Sequence, residues 1–149
     1  MAKGADVTID AIDRSLIALL REDGRLSVNE LAVRANVSRA NAYQRLARLR
    51  ERGVIRRFTI DVDHRQLGDP ITALVLVDIE QQAWRELSER LVHLPGVDYI
   101  GFCTGTADVV LLVRAPDMEH LRDVVLEKLQ SMPEVRSTQT SFVLQELPR

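Results

Sequence analysis

The spacing of apolar positions along the chain changes its period once, and that change divides the chain in two. Near the N-terminus, Ile12, Leu16, Leu19 and Leu20 follow the i, i+4, i+7, i+8 spacing of a helix with one apolar stripe. Asp10 or Thr8 offers a capping oxygen at its start, and Gly24 ends it. A second helix is predicted to open at Ser27-Val28-Asn29-Glu30. This is a capping box, in which Ser27 and Glu30 each satisfy a backbone N–H that the helix leaves free. Its apolar positions are Val28, Leu31, Ala32 and Ala35. Asn36 then tolerates the left-handed backbone of a tight turn, Val37 plugs the corner, and Ser38 caps a third helix. That helix turns Ala42, Leu46 and Leu49 inward and stops at Gly53. A short strand is expected over Ile55–Val62, followed by a linker from His64 to Pro70 in which His64 is solvated.

Beyond residue 70 the period becomes that of strands alternating with helices. The expected order is strand Ile71–Glu80, helix Gln82–His93, strand Val97–Thr104, strand Ala107–Ala115, helix Asp117–Met132 and strand Val135–Leu147. Both helices close on a similar phrase, Leu94-Pro95-Gly96-Val97 and Met132-Pro133-Glu134-Val135, where proline halts the helix and valine opens a strand. A βαββαβ order with this internal echo is the split-βαβ, ferredoxin-like arrangement. The predicted fold class is therefore α+β: an N-terminal three-helix, winged helix-turn-helix over residues 1–68, and a C-terminal ferredoxin-like βαββαβ domain over residues 69–149.

In that fold both helices cover one face of the sheet. Successive strand residues point to opposite faces, yet Ala73–Val77 and Val109–Val113 are apolar throughout. The second face must then be covered, and a second copy of the chain is the economical cover, which predicts a homodimer.

Charge sharpens the division. The whole chain carries a net charge of −2, but residues 1–65 hold 13 Arg or Lys against 9 Asp or Glu, while the remainder is acidic. Between Arg34 and Arg57, eight arginines meet one acid, Glu51. Such a segment reads either as a solvated helix face or as a footprint for phosphate, and its place in a helix-turn-helix favours phosphate. In that motif the second helix enters the major groove with its N-terminal residues at the base edges. The candidate DNA-binding residues are Ser38, Arg39, Asn41, Gln44, Arg45, Arg48 and Arg52. Arginine pairs with guanine and asparagine or glutamine with adenine, while Arg45, Arg48, Arg50, Arg52, Arg56 and Arg57 suit phosphates.

The turn Thr104-Gly105-Thr106-Ala107-Asp108 has two readings. It is a hairpin turn in which Gly105 takes positive φ, or a ligand recess in which Asp108 accepts from an ammonium group. Thr138 and Thr140 lie two apart on one face of the last strand and add hydroxyls.

Other classes find little support. The longest apolar runs are five residues, far short of the roughly 20 that span a bilayer, and no secretory leader is visible. A single cysteine, Cys103, excludes an internal disulfide and suits a reducing, cytoplasmic setting. No phosphate loop, metal-ligand spacing or catalytic triad stands out, so neither enzymatic activity, a metal nor a cofactor is expected.

Taken together, several short stretches resemble the leucine-responsive/asparagine-regulator (Lrp/AsnC) transcription factors. They are Ile12-Asp13-Arg14, Asp23-Gly24-Arg25, Leu31-Ala32 through Val37-Ser38, Arg45-Leu46, Leu49 and Gly53-Val54-Ile55. In the second half, Gly105 with Asp108, Pro116-Asp117-Met118, and Val135 with Thr138 and Thr140 resemble that family's regulatory domain. The resemblance implies a regulator of transcription that binds double-stranded DNA, dimers packed sheet to sheet, and tetramers of such dimers. It also implies a small-molecule effector, commonly an amino acid, held near Thr104, Gly105, Thr106, Asp108, Thr138 and Thr140. Two positions depart from the pattern: Asn36 replaces a frequent glycine, and Ala107 replaces a frequent aromatic. An enzyme on the same fold, similar to siroheme decarboxylases, is one alternative. It would need imidazoles converging on a tetrapyrrole, whereas His93 and His120 are expected at the surface. An architectural DNA-compacting protein is another, distinguished by its lack of sequence preference.

Overall fold

The computed structural model describes residues 8–80 and 84–147, and the chain forms two compact units, residues 1–61 and 62–149.

The first unit is three helices, α1 (Ala11–Glu22), α2 (Val28–Arg34) and α3 (Arg39–Glu51). Leu16, Leu31, Ala32 and Ala42 are buried between them, with Ile12, Leu20, Val37 and Leu46 packed around. Each start has a side-chain cap. Asp10 caps α1, Ser27 and Glu30 close the expected capping box on α2, and Ser38 accepts from the Asn41 N–H at the head of α3. The Ser27 hydroxyl and N–H both donate to the Glu30 carboxylate and hold its pKa below the usual value. Asn36 takes φ 53°, and the Val37 N–H returns to the Ala32 carbonyl at 2.9 Å, which closes the tight turn.

The strand expected over Ile55–Val62 does not form. A strand exists only as one rung of a ladder, and no described residue of the chain pairs with this segment. Residues 54–61 instead line an open groove of about 590 Å³ with Ile17, Leu20 and Arg21 of α1.

The second unit runs α4 (His64–Leu67), β1 (Ile71–Ile79), α5 (Trp84–Leu91), β2 (Val97–Phe102), β3 (Val109–Ala115), α6 (Met118–Arg122) and β4 (Val135–Phe142). After Arg122, α6 continues in wider π-type turns over Asp123–Leu129. The antiparallel sheet has the order β2-β3-β1-β4, the ferredoxin-like arrangement that the element order predicts. Gln82, where α5 was expected to open, lies outside the described residues. The last strand ends at Phe142, five residues before the expected Leu147.

The predicted linker is also ordered differently. Asp63 accepts from the Arg65 and Gln66 N–H groups, and Gly68 at φ 109° terminates the resulting turn of helix. His64 is consequently not solvated: its side chain is 21% exposed and its Nε2 lies 3.3 Å from Asp98.

One face of the sheet is sealed by α5 and α6. Ala73, Val75, Val77 and Ile79 of β1 and Val109, Leu111 and Val113 of β3 are buried there with Leu87, Leu91, Leu121 and Leu129. On the other face, Leu74 pairs with Leu112 and Leu76 with Val110, and all four are only half-buried. Tyr99 of β2, opposite Leu112, is 57% exposed. The apolar second face that the sequence demands is present, flanked by Gln139 and Ser141 of β4.

Candidate nucleic-acid interface and effector turn

The N-cap and first two turns of α3 present Ser38, Arg39, Asn41 and Gln44 to solvent, together with Tyr43, which the sequence pattern did not single out. Arg52, at the end of α3, is exposed as well, and so are Arg56 and Arg57 just beyond it. Arg50 lies over the Phe58 ring, 6.0 Å from its centroid. These side chains form the outward, basic surface of the motif, with donors and acceptors at one end and guanidinium groups at the other.

Two of the predicted residues are engaged differently. Arg45 Nη1 donates to Asp10 Oδ2 at 2.6 Å and to Asp13 Oδ1 at 2.9 Å, and its Nε donates to Asn41 Oδ1 at 2.7 Å. Arg48 Nη2 donates to the other oxygen of Asp13 at 2.7 Å. Asp13 is fully buried, so these bonds are its compensation for leaving water. The side chain of Arg45 is 19% exposed and that of Arg48 41%. The bond from the Asp13 N–H, reinforced by Arg45, holds the Asp10 carboxyl below its usual pKa, and the same acids raise the guanidinium of Arg45. Sequence reasoning passed over Asp13, although a signal was there. Asp13 lies three residues before Leu16 and seven before Leu20, so it occupies the apolar stripe of α1.

At the other candidate site, Thr104, Gly105 and Thr106 form an exposed turn with Gly105 at φ 132°. A Cβ at Gly105 would meet nothing within 4 Å, so the backbone conformation, not crowding, calls for glycine. Asp108 closes the turn. Its carbonyl accepts from Cys103, its N–H donates to the Val77 carbonyl, and its Oδ2 accepts from the Ile79 N–H at 2.9 Å. The carboxylate thus continues the edge of β1 where the ladder ends, and Oδ1 carries no hydrogen bond among the described residues.

Thr138 sits opposite Val77 on the far side of β1, at the same end of the sheet as Asp108, and its hydroxyl accepts from Gln130 Nε2 at 2.7 Å. Thr140 lies two pairs further in, opposite Val75. The sheet brings Asp108 and Thr138 to one end, but both threonines face the helix-covered side. His93 and His120 lie at the surface as expected. Among the described residues no group of three or more His, Cys, Asp or Glu is placed to hold a metal, and no helix is long and apolar enough to cross a membrane.

A helix-turn-helix whose second helix faces solvent with polar and basic side chains, joined to a ferredoxin-like sheet, defines a class: DNA-binding regulators with a separate ligand-binding domain. Comparison with known proteins narrows it. Residues 9–56 match the family profile described as winged helix-turn-helix DNA-binding, and residues 72–149 match the Lrp/AsnC ligand binding domain. An uncharacterized HTH-type transcriptional regulator of Pyrococcus abyssi is 36% identical over 143 residues, covering 96% of this chain and 90% of that protein. The HTH-type transcriptional regulator AldR of Mycolicibacterium smegmatis is 32% identical over 142 residues, covering 93% and 83%. Among solved structures, a transcriptional regulator of Neisseria meningitidis in complex with L-Met superposes with a TM-score of 0.85 at 28% identity, covering 95% of this chain and 94% of that one. AsnC of E. coli superposes at 0.82 and 26% identity, covering 95% and 96%. The chain belongs to the Lrp/AsnC family of transcriptional regulators.

Proposed function

We propose that the protein is a homodimeric regulator that reads duplex DNA with the exposed face of α3 and is switched by a free amino acid at the Thr104–Asp108 turn. In this reading residues 1–68 bind DNA, through Ser38, Arg39, Asn41, Gln44 and Arg52. Residues 69–149 dimerise and sense. Arg45 and Arg48 serve DNA binding by anchoring α3 to α1, with Arg48 exposed enough to reach a phosphate as well. The open sheet face of Leu74, Leu76, Val110 and Leu112 is the dimer surface, and such dimers assemble further into tetramers of dimers, in the cytoplasm.

The observation that carries the effector reading is the half-used carboxylate of Asp108 beside an exposed, glycine-containing turn. A free amino acid offers an ammonium group to Asp108 and a carboxylate to the backbone amides around Gly105, so one turn could recognise what all amino acids share. Thr138, at the same end of the sheet, and Thr140 would contribute their hydroxyls only from its helix-covered side. Ala107, buried beside Asp108, would leave an effector side chain the space that a larger residue there would fill. The methionine complex of the Neisseria relative supports an amino acid as the class.

Calorimetric titration of the wild type and Asp108→Asn with the twenty amino acids tests this reading. The amide oxygen of Asn still accepts from the Ile79 N–H, so the turn survives while the charge is lost. A charge-assisted hydrogen bond of about 1.5–3 kcal/mol predicts roughly 10- to 100-fold weaker effector binding. Equal binding by both proteins would show that Asp108 only builds the turn.

A further inference from the structure

Asn41 and Arg45 stand one helical turn apart on α3, and the bond between them constrains what Asn41 can read. A guanidinium has donors only, so the atom of the Asn41 amide that faces Arg45 Nε at 2.7 Å is its oxygen. Arg45 cannot swing away freely. Its Nη1 is shared between Asp10 and the buried Asp13, and leaving would strip the buried carboxylate of one of its two cations. The two acids are fixed in turn, because Asp10 and Asp13 close a reciprocal capping box at the head of α1. Rigid constraint therefore runs from a buried carboxylate, through one arginine, to an exposed amide.

We infer that this network presents the amide of Asn41 to DNA with its NH₂ group outward, making it a reader of guanine and not of adenine. The inference rests on α3 being the recognition helix. An asparagine that reads adenine lays its oxygen against the 6-amino group and its nitrogen against N7. Here the oxygen side is flanked by the guanidinium of Arg45, so adenine's amino group would bring a donor against a cation that is itself all donor. Guanine presents N7 and O6, two acceptors, which suit an outward NH₂ with a positive charge behind it. Asn41 thereby acts as a specificity-determining residue, and Arg45, Asp10 and Asp13 position it.

The experiment selects bound duplexes from a random pool with the full chain and compares the wild type with Asn41→Ala, Gln44→Ala, Arg39→Ala and Arg45→Lys. Asn41→Ala is expected to lose about tenfold discrimination at one base pair per half-site, at which the wild type requires guanine. Putting 7-deazaguanine at that position should weaken the wild type and leave Asn41→Ala unaffected. Arg45→Lys, whose single ammonium serves the carboxylates without a second arm on Asn41, is expected to admit adenine there while its helical circular dichroism stays at the wild-type level. Adenine as the base lost with Asn41→Ala, no position changed by that variant, or strict guanine preference kept by Arg45→Lys each overturns the inference. If Gln44→Ala or Arg39→Ala still alters other positions, the recognition helix stands and only this assignment falls. A profile indifferent to every α3 variant overturns the recognition helix itself.

Discussion

Removing the carboxylate of Asp13 should uncouple α1 from α3. Asp13 is fully buried and accepts from Arg45 at 2.9 Å and Arg48 at 2.7 Å, so Asp13→Ala deletes two charge-assisted bonds at once. Breaking a buried ion pair costs about 3–5 kcal/mol when the surviving charge is stranded. Here the surviving arginines are 19% and 41% exposed, and Arg45 keeps Asp10, so water and a remaining acid recover part of the loss. The lower end, about 3 kcal/mol, is the expected destabilisation. A three-helix unit with five buried apolar residues among those described has only a few kcal/mol to lose, so much of it should be unfolded at 37 °C. Asp13→Asn keeps the size and one acceptor and should fall between Ala and the wild type. Denaturant titration of the full chain checks this with two signals. Circular dichroism follows the helices of both units, the larger share of them in the first, and Trp84, the sole tryptophan, follows the second. The helical midpoint should drop while the Trp84 transition stays in place. A helical transition that moves by less than about 0.5 kcal/mol, the range of ordinary surface substitutions, would refute the reasoning.

Four further outcomes are expected. Arg52→Ala should weaken binding to all DNA sequences alike and flatten the slope of log K against log salt by about 0.9, as measured by titration across salt concentrations. Leu112→Asp places a carboxylate on the apolar sheet face, which should cost several kcal/mol of association and give monomers in sedimentation; a stable dimer there would remove the sheet face as the interface. Gly96 stands at φ 71°, and an added Cβ would collide with the Arg114 carbonyl, so Gly96→Ala should destabilise the second unit by at least about 2 kcal/mol in Trp84-monitored unfolding. Asp10 and Asp63, normally at 3.8, and Glu30 and Glu146, normally at 4.5, are all lowered by hydrogen bonds made only in the fold. Their stabilisation is therefore complete above about pH 4.5 and lost as the pH falls through the lowered values. His120 has the opposite sign: Asp117 raises it above 6.5, so its small contribution is complete below that pH and fades as the pH rises through the raised value. Melting temperature against pH, for the wild type and His120→Gln, separates the two limbs.

Much of the fold was legible because it depends on local rules. The caps at Asp10, Ser27 and Ser38 and the left-handed turn at Asn36 need only a side chain and the backbone a few residues away, and all four appear as expected. The βαββαβ order followed from the change in period, and the apolar second face followed from strands with no polar alternation. Where regular structure needs a partner or a short cap in a linker, pattern alone erred. Ile55–Val62 has strand-like composition and no ladder to join among the described residues, while Asp63 and Gly68 make a helical turn from a stretch that reads as loop.

The sequence by itself determined which elements form, which of their faces are apolar and which segment carries the excess of arginine, because periodicity, capping and charge are properties of neighbouring residues. It could not determine what those arginines hold. Arg45 and Arg48 read as phosphate contacts alone, and packing α1 beside α3 adds a buried acid for both to hold, Asp13, from 32 and 35 residues away. A buried carboxylate cannot stay unpaired, so tertiary packing drew two cations inward and, through Arg45, set the orientation of Asn41. The same holds for Asp108, whose hydrogen bond to Ile79 spans 29 residues and exists only once β1 and β3 are paired.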